Sequence, residues 1–215
     1  MGETVNPLIH VVDDDEAMRK SLCWLIGSVG LETQSYASAD EFIANFVDDR
    51  PACLLLDIRM PGLSGLDLQE ALSNLNTAIP IIFLTGHGDV PIAVRAFKGG
   101  AFDFLQKPCN DQILLDRIND AIKYHQKKRD EQSEITALKQ LVNSLTRREY
   151  QVAESVSHGL QNKEIAKKLG ISPKTVEVYR HNALQKMHAD STAELTRLWM
   201  LAELHGGLKN NTNIS

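Results

Sequence analysis

Three consecutive carboxylates, Asp13, Asp14 and Asp15, stand directly after a nearly all-apolar run, and a fourth, Asp57, stands after another. Thr85 follows a third run of this kind, and Lys107 follows a shorter one. Clustered carboxylates repel one another. At an effective dielectric of ~20, a pair about 4 Å apart costs roughly 4 kcal/mol. Such a group favours a hard divalent cation with oxygen ligands, Mg2+ (or Mn2+), bound through one or two carboxylates and water. A hydroxyl and an ammonium beside it suit a phosphoryl ligand, whose oxygens they share with the metal. One carboxylate can then act as the nucleophile and form an acyl phosphate. The competing reading is that Asp13–Asp15 only cap the helix that follows them. Asp57, Thr85 and Lys107 at matching positions weigh against it.

These side chains meet only if the elements before them lie side by side. Residues 8–12, 53–56 and 81–84 are nearly all apolar, as strands covered on both faces must be. Residues 32–36 form a more polar strand and 103–106 a short one. Between them 16–29, 39–47, 66–73 and 90–98 have helical patterns, with Gly, Pro and Ser at the joins. The alternation predicts a doubly wound α/β fold: a five-stranded parallel sheet with right-handed crossovers and helices on both faces. Sites in such sheets form at the carboxyl ends of the strands. The polar residues that end the apolar strands fall on that edge.

After Pro108 no Gly or Pro occurs until Gly159. Ile113, Leu114, Ile118 and Ile122 make a helical stripe, the charged stretch 125–134 follows, and Ile135, Leu138, Leu141, Val142 and Leu145 make a second stripe. The second has the spacing of a short coiled-coil seam or, equally, of a helix docked on its own domain. The final third is helical, near 147–158, 162–169, 173–188 and 192–204. Thr146 with Glu149 and Ser191 with Glu194 have the spacing of capping boxes. The expected organisation is a first domain at 6–124, a helical linker at 125–144, a helical domain at 145–206 and a disordered tail at 207–215.

Within the last domain 162–169, Gly170, and then Ser172-Pro173 opening another helix make a helix-turn-helix pattern. Ser172 suits an N-cap and Pro173 the first helical position. Val176, Ala183, Leu184 and Met187 share one face of the second helix and would pack the core. Lys174, Val178, His181 and Gln185 share the other, with Glu177 and Asn182 at its flanks. That face suits a DNA major groove, where side chains meet base edges and a carboxylate can accept from cytosine N4. Lys163, Lys167, Arg180 and Lys186 are placed for phosphates. A helical hairpin with an ordinary charged surface has the same pattern.

Charge agrees with a division of labour. Residues 1–145 hold 13 Lys and Arg against 21 Asp and Glu, and residues 146–215 hold 10 against 7. A polyanion partner belongs at the back. Cys23, Cys53 and Cys109 have no metal or redox spacing and are expected to be reduced, buried thiols. The histidines lack ligand spacing. A basic stretch with an apolar signal core is absent, and no apolar run approaches a membrane span, so a cytoplasmic protein with no membrane partner is expected.

The segments Val11-Val12-Asp13-Asp14-Asp15, Leu55-Leu56-Asp57-Ile58-Arg59-Met60-Pro61-Gly62, Leu84-Thr85-Gly86-His87 and Phe104-Leu105-Gln106-Lys107-Pro108 together resemble the receiver domains of two-component signalling, of the CheY and flavodoxin-like fold. The stretch Thr85-Gly86-His87-Gly88-Asp89-Val90-Pro91 resembles the FixJ branch. The resemblance implies that Asp57 accepts a phosphoryl group from a sensor histidine kinase. It implies Mg2+ held by Asp13, Asp14, Asp57 and the Arg59 backbone carbonyl, with Thr85 and Lys107 on the phosphoryl oxygens and Phe104 as the aromatic switch residue. A phosphorylation-driven homodimer contact would include Val94 and Lys98. Receivers often have a cis peptide at the position of Lys107-Pro108. They switch stoichiometrically, with self-phosphotransfer and slow self-dephosphorylation as their only chemistry.

Residues 145–198 resemble the four-helix LuxR-type output domain, through Leu145-Thr146-Arg147-Arg148-Glu149, Asn162-Lys163-Glu164-Ile165-Ala166 and the run from Ser172 to Arg180. This implies promoter DNA as partner, contacted by Lys163, Lys167, Lys174, Thr175, Glu177, Val178, Arg180, His181, Asn182 and Lys186, and RNA polymerase as a further one. Leu195, Leu198 and Leu201 either dimerise or close the core. Two other readings fare worse. A phosphatase using Asp57 would usually place its nucleophile after the first strand, with a second acid two residues on. A phospho-dependent adaptor would bind protein at its helical end, without salt-dependent affinity for duplex DNA.

Overall fold

A strand with an apolar side chain at nearly every position has no face for water, and three of the five strands are of this kind. The computed structural model describes residues 6–75, 77–86 and 90–206. In it β1 (Leu8–Val12), β3 (Ala52–Asp57) and β4 (Ile81–Thr85) are buried throughout. The more polar β2 (Glu32–Tyr36) and β5 (Asp103–Gln106) are the edges of an all-parallel sheet of order β2-β1-β3-β4-β5. Alternate side chains sort to opposite faces. Leu54, Leu56 and Phe83 join α2 (Ala39–Asn45), α3 (Gly65–Asn74) and α4 (Val90–Lys98) in one core layer. Cys53, Leu55, Ile82 and Leu84 join α1 (Glu16–Ser28) and the start of α5 (Asp111–Ser144) in the other.

Two compact units divide the chain, residues 1–130 and 131–215. The helix α5 contributes to both. Leu114, Ile118 and Ala121 lie in the core of the first unit, and Leu138 and Val142, with Leu145 just beyond the helix, lie in that of the second. The buried part of the second apolar stripe is thus a docked helix face. Ile113, grouped with the first stripe from sequence, is 50% exposed. The second unit is completed by α6 (Arg147–Ser157), α7 (Asn162–Leu169), α8 (Pro173–Lys186) and α9 (Thr192–Leu204), packed around Val152, Ile165, Val176, Leu195 and Trp199.

Several sequence expectations need adjusting. The ladder carries on through Asp57↔Leu84 and Thr85↔Gln106, so Asp57 and Thr85 close their strands instead of following them. Thr146 and Glu149 do form a capping box. Ser191 accepts from the Glu194 N–H, but the Glu194 carboxylate turns to the Asp190 N–H, 2.9 Å away, so that box is half made. Of the thiols only Cys53 is buried, and Cys23 and Cys109 are half-buried. His87, Gly88, Asp89 and the tail from 207 lie outside the described residues. Among the described residues no helix is long and apolar enough to cross a membrane.

Candidate functional site

Strand register brings the carboxylates together. Val12 pairs with Leu56, so Asp13 emerges level with Asp57 at the carboxyl edge of the sheet. Thr85 pairs with Gln106, and the next residue, Lys107, donates its N–H to the Thr85 carbonyl at 2.8 Å. The Lys107 ammonium then lies between two carboxylates, 2.6 Å from Asp13 Oδ2 and 3.2 Å from Asp57 Oδ1. Asp57 Oδ2 accepts from the Arg59 N–H at 3.2 Å. Carboxylate oxygens of Asp13, Asp14 and Asp57 lie within 4.8 Å of one another. Thr85 is buried beside them in β4. Capping claims only one of the three leading carboxylates, because Asp15 Oδ1 accepts from the N–H groups of Ala17 and Met18.

The charges in this pocket do not balance. Burial pushes the Asp57 carboxyl above its usual range, Lys107 opposes that, and Asp13 adds to it. Burial works against the Lys107 ammonium, yet its bonds to Asp13 and Asp57 hold its pKa above the ordinary lysine value. Among the described residues the Lys107 ammonium faces two buried carboxylates, with exposed Asp14 at the rim. This all-oxygen donor set fits a hard divalent cation.

Two contributors were missed from sequence. Arg19 donates to the Asp13 carbonyl at 2.7 Å, and its place one turn into α1 gave no sign of that. Gly65 opens α3 against the backbone of Asp57; a Cβ there would stand 2.2 Å from the Asp57 carbonyl oxygen. No local pattern marks such a close approach. Phe104 is half-buried, packed on the core with its ring 6.5 Å from that of Phe83. Val94 and Lys98 are exposed on α4, where Val90 and Phe97 are exposed as well. The Lys107-Pro108 peptide is cis.

The second unit presents a different kind of surface. Gly170 ends α7 in the left-handed region, at φ 67°, and Ser172 Oγ accepts from the Thr175 N–H to start α8. Val176, Ala183 and Met187 are buried, and Leu184 packs beside them. Lys174, Glu177, Val178, His181 and Gln185 are exposed along the opposite face, as are Lys163 and Lys167 on α7. Asn182 is half-buried, and the Thr175 hydroxyl lies 2.7 Å from that of Ser172. Two basic residues are engaged inside the unit. Arg180 donates to Asn162 Oδ1 at 3.0 Å and to the Thr192 hydroxyl, and Lys186 bonds the buried Glu149 carboxylate at 2.6 Å. The sequence places both, with Lys163 and Lys167, within reach of phosphates, and gives no sign of these internal partners.

Comparison with known proteins agrees with this division. The response regulator receiver domain family matches residues 9–119, and the luxR family of bacterial regulatory proteins matches residues 143–199. The chain is 48% identical to nodulation protein W of Bradyrhizobium diazoefficiens over 89% of this chain and 84% of that one. It is 40% identical to the transcriptional regulatory protein FixJ of Rhizobium meliloti over 88% and 93%. Among solved structures, the response regulator StyR has a TM-score of 0.84 at 43% identity, covering 91% of this chain and 99% of that one. Full-length FixJ from B. japonicum has a TM-score of 0.56 at 42% identity, covering 92% and 97%. With the pocket on one unit and the helix-turn-helix on the other, the chain belongs to the two-component response regulators of the FixJ-like branch, a receiver domain followed by a LuxR-type DNA-binding domain.

Proposed function

We propose that Asp57 accepts a phosphoryl group from the phosphohistidine of a sensor histidine kinase. A carboxylate oxygen of Asp57 attacks phosphorus, the donor N–P bond breaks, and its electron pair leaves with the imidazole. The observation that carries this reading is the single Lys107 ammonium held between Asp13 and Asp57, carboxylates from the ends of two adjacent strands. Lys107 would follow the phosphoryl oxygens as charge moves from Asp57 onto them, and the Thr85 hydroxyl would turn to donate to another. Asp13, Asp14, Asp57 and the Arg59 carbonyl would hold Mg2+ or Mn2+, which when bound neutralises the charge that gathers on the phosphoryl group.

Phosphorylation then acts as a population shift. Thr85 and Phe104 re-form the surface around α4, where Val94 and Lys98 enter a homodimer contact. Two output domains bind two half-sites, and affinity rises through effective concentration. Lys174, Glu177, Val178, His181 and Asn182 meet base edges and Lys163 and Lys167 meet phosphates, with Thr175, Arg180 and Lys186 supporting the helix that carries them. The protein is a stoichiometric switch in the cytoplasm, turning over no separate substrate, and RNA polymerase is a downstream partner. The test is promoter binding and oligomeric state with Mg2+ and a small phosphodonor or beryllofluoride, for wild type and Asp57→Asn. Tighter binding and dimers in the wild type alone are expected. Equal binding by both proteins under all conditions overturns the reading.

A further inference from the structure

Helix α5 crosses a stretch with almost nothing apolar to hold it. From Gln126 to Glu134 there is no apolar side chain, and just before it Tyr124 is 44% exposed. A helix of ordinary composition without tertiary packing is marginal in water. The long-range polar contacts of His125 and Arg129 converge on the loop between α2 and β3 and on the first residue of β3. Arg129 Nη1 donates to the Asp48 carboxylate and, at 3.1 Å, to the Asp48 carbonyl. The other carboxylate oxygen of Asp48 accepts from the Thr77 hydroxyl at 3.1 Å, which ties in the loop before β4. His125 is completely buried, with Nδ1 2.9 Å from the Ala52 N–H nitrogen and Nε2 3.8 Å from Asp48 Oδ1. Nδ1 also lies 3.1 Å from the Ala52 carbonyl oxygen, so the ring is tied to the start of β3 whichever nitrogen holds the proton. The local Gln126 to Asp130 bond, 2.7 Å, adds only a contact within the helix.

These residues are remote from the phosphorylation pocket in the sheet, at the opposite ends of β3 and β4, and neither DNA contact nor phosphoryl chemistry uses them. They lie where the first compact unit ends, at Asp130. We propose that Asp48 is a positioning residue: a latch that keeps residues 125–134 helical where α5 leaves the receiver, so that opening it weakens the effect of phosphorylation on DNA binding. The second half of this statement rests on the phospho-switch reading above.

The test uses the full chain with Asp48→Asn, which keeps the shape and removes the charge, and Arg129→Met as an independent variant. Hydrogen exchange of amides 125–134 should speed up about fivefold or more in each, with amides around Ile118 and Trp199 unchanged. Arg129→Lys should restore most of the protection. The rate of Asp57 phosphorylation should stay at the wild-type level, while the ratio of promoter affinities with and without beryllofluoride falls severalfold. Unchanged exchange in both variants overturns the latch. Faster exchange with an unchanged affinity ratio overturns its coupling role and leaves a local tie. If the wild-type ratio is itself one, the phospho-switch reading and the coupling role fall together, and exchange alone decides whether Asp48 holds the helix.

Discussion

Each unit of this molecule sets a lysine against buried carboxylate, and the two arrangements serve opposite ends. In the output unit Lys186 meets a single carboxylate, that of Glu149, which also accepts from the Thr146 N–H at 2.8 Å. Charge is matched one to one and the geometry closes a cap. In the receiver Lys107 meets two carboxylates with a third in reach. That surplus of negative charge is a standing cost to the fold, and a cation or a phosphoryl group on Asp57 redistributes it. A balanced buried pair reads as architecture, and an unbalanced one as a site awaiting a ligand.

The glycines repeat the contrast, and they give the largest expected effect. Gly65 is needed for space, since a Cβ there would press on the backbone of Asp57 and Ile58, which cannot yield as a side chain can. Gly170 is needed for its φ of 67° alone, with nothing within 4 Å of an added Cβ. Gly65→Ala should destabilise the receiver by about 3 kcal/mol and slow phosphorylation of Asp57. Gly170→Ala should cost the output unit about 1 kcal/mol. Chemical denaturation reads both, with the buried Trp199 reporting the output unit. Equal losses at the two positions would break the contrast.

What was legible in the sequence follows the same line. Strands buried on both faces announce themselves by continuous apolar runs, and the polar residues that end them mark the pocket, so Asp13, Asp57, Thr85 and Lys107 could be grouped before any coordinates. Short-range signals such as Thr146 with Glu149 or Ser172-Pro173 also carried through. Contacts that depend on which helix lies beside which did not. Lys186 and Arg180 look like any exposed cation on α8 until α6, α7 and α9 are packed around them. The Asp48 latch joins residues 81 positions apart, and no local spacing encodes it.

Acid should separate the two units. His10 is buried in a cage of Tyr36, Phe42 and Phe46, with ring centroids 5.4–5.8 Å away. Burial, assisted by Arg50, lowers its pKa from 6.5 to about 4, and burial lowers that of His125 in the same direction. The unfolded chain therefore takes up protons that the folded receiver refuses. Receiver stability should be complete above pH 6.5 and should fall as pH drops toward 4, by roughly 3 kcal/mol for His10. In the output unit burial would raise the Glu149 carboxyl, but the bonds from Lys186 and Thr146 outweigh it and hold it low. That contribution persists above the ordinary value of 4.5 and is lost only below it. Hydrogen exchange of receiver core amides should accelerate between pH 6.5 and 4.5 while Trp199 emission stays native. Loss of both units together in that window would show that the buried imidazoles do not set the receiver's acid limit.

The last two effects carry the sharpest test, because they differ in sign. Lys186→Met leaves the Glu149 carboxylate buried with only the Thr146 cap for company. Lys186 is 38% exposed, which discounts the full penalty of a broken buried pair to about 2 kcal/mol of destabilisation. Asp57→Asn removes surplus negative charge from the receiver and should stabilise it by about 1 kcal/mol in metal-free buffer. Adding Mg2+ should then raise the melting temperature of the wild type more than that of the variant, because the metal meets a charge the variant has lost. Calorimetry with and without Mg2+ resolves both shifts. A destabilised Asp57→Asn protein would mean that Lys107 already satisfies its two carboxylates, and the distinction between a matched pair and an unmatched one would fail at the point where it was drawn.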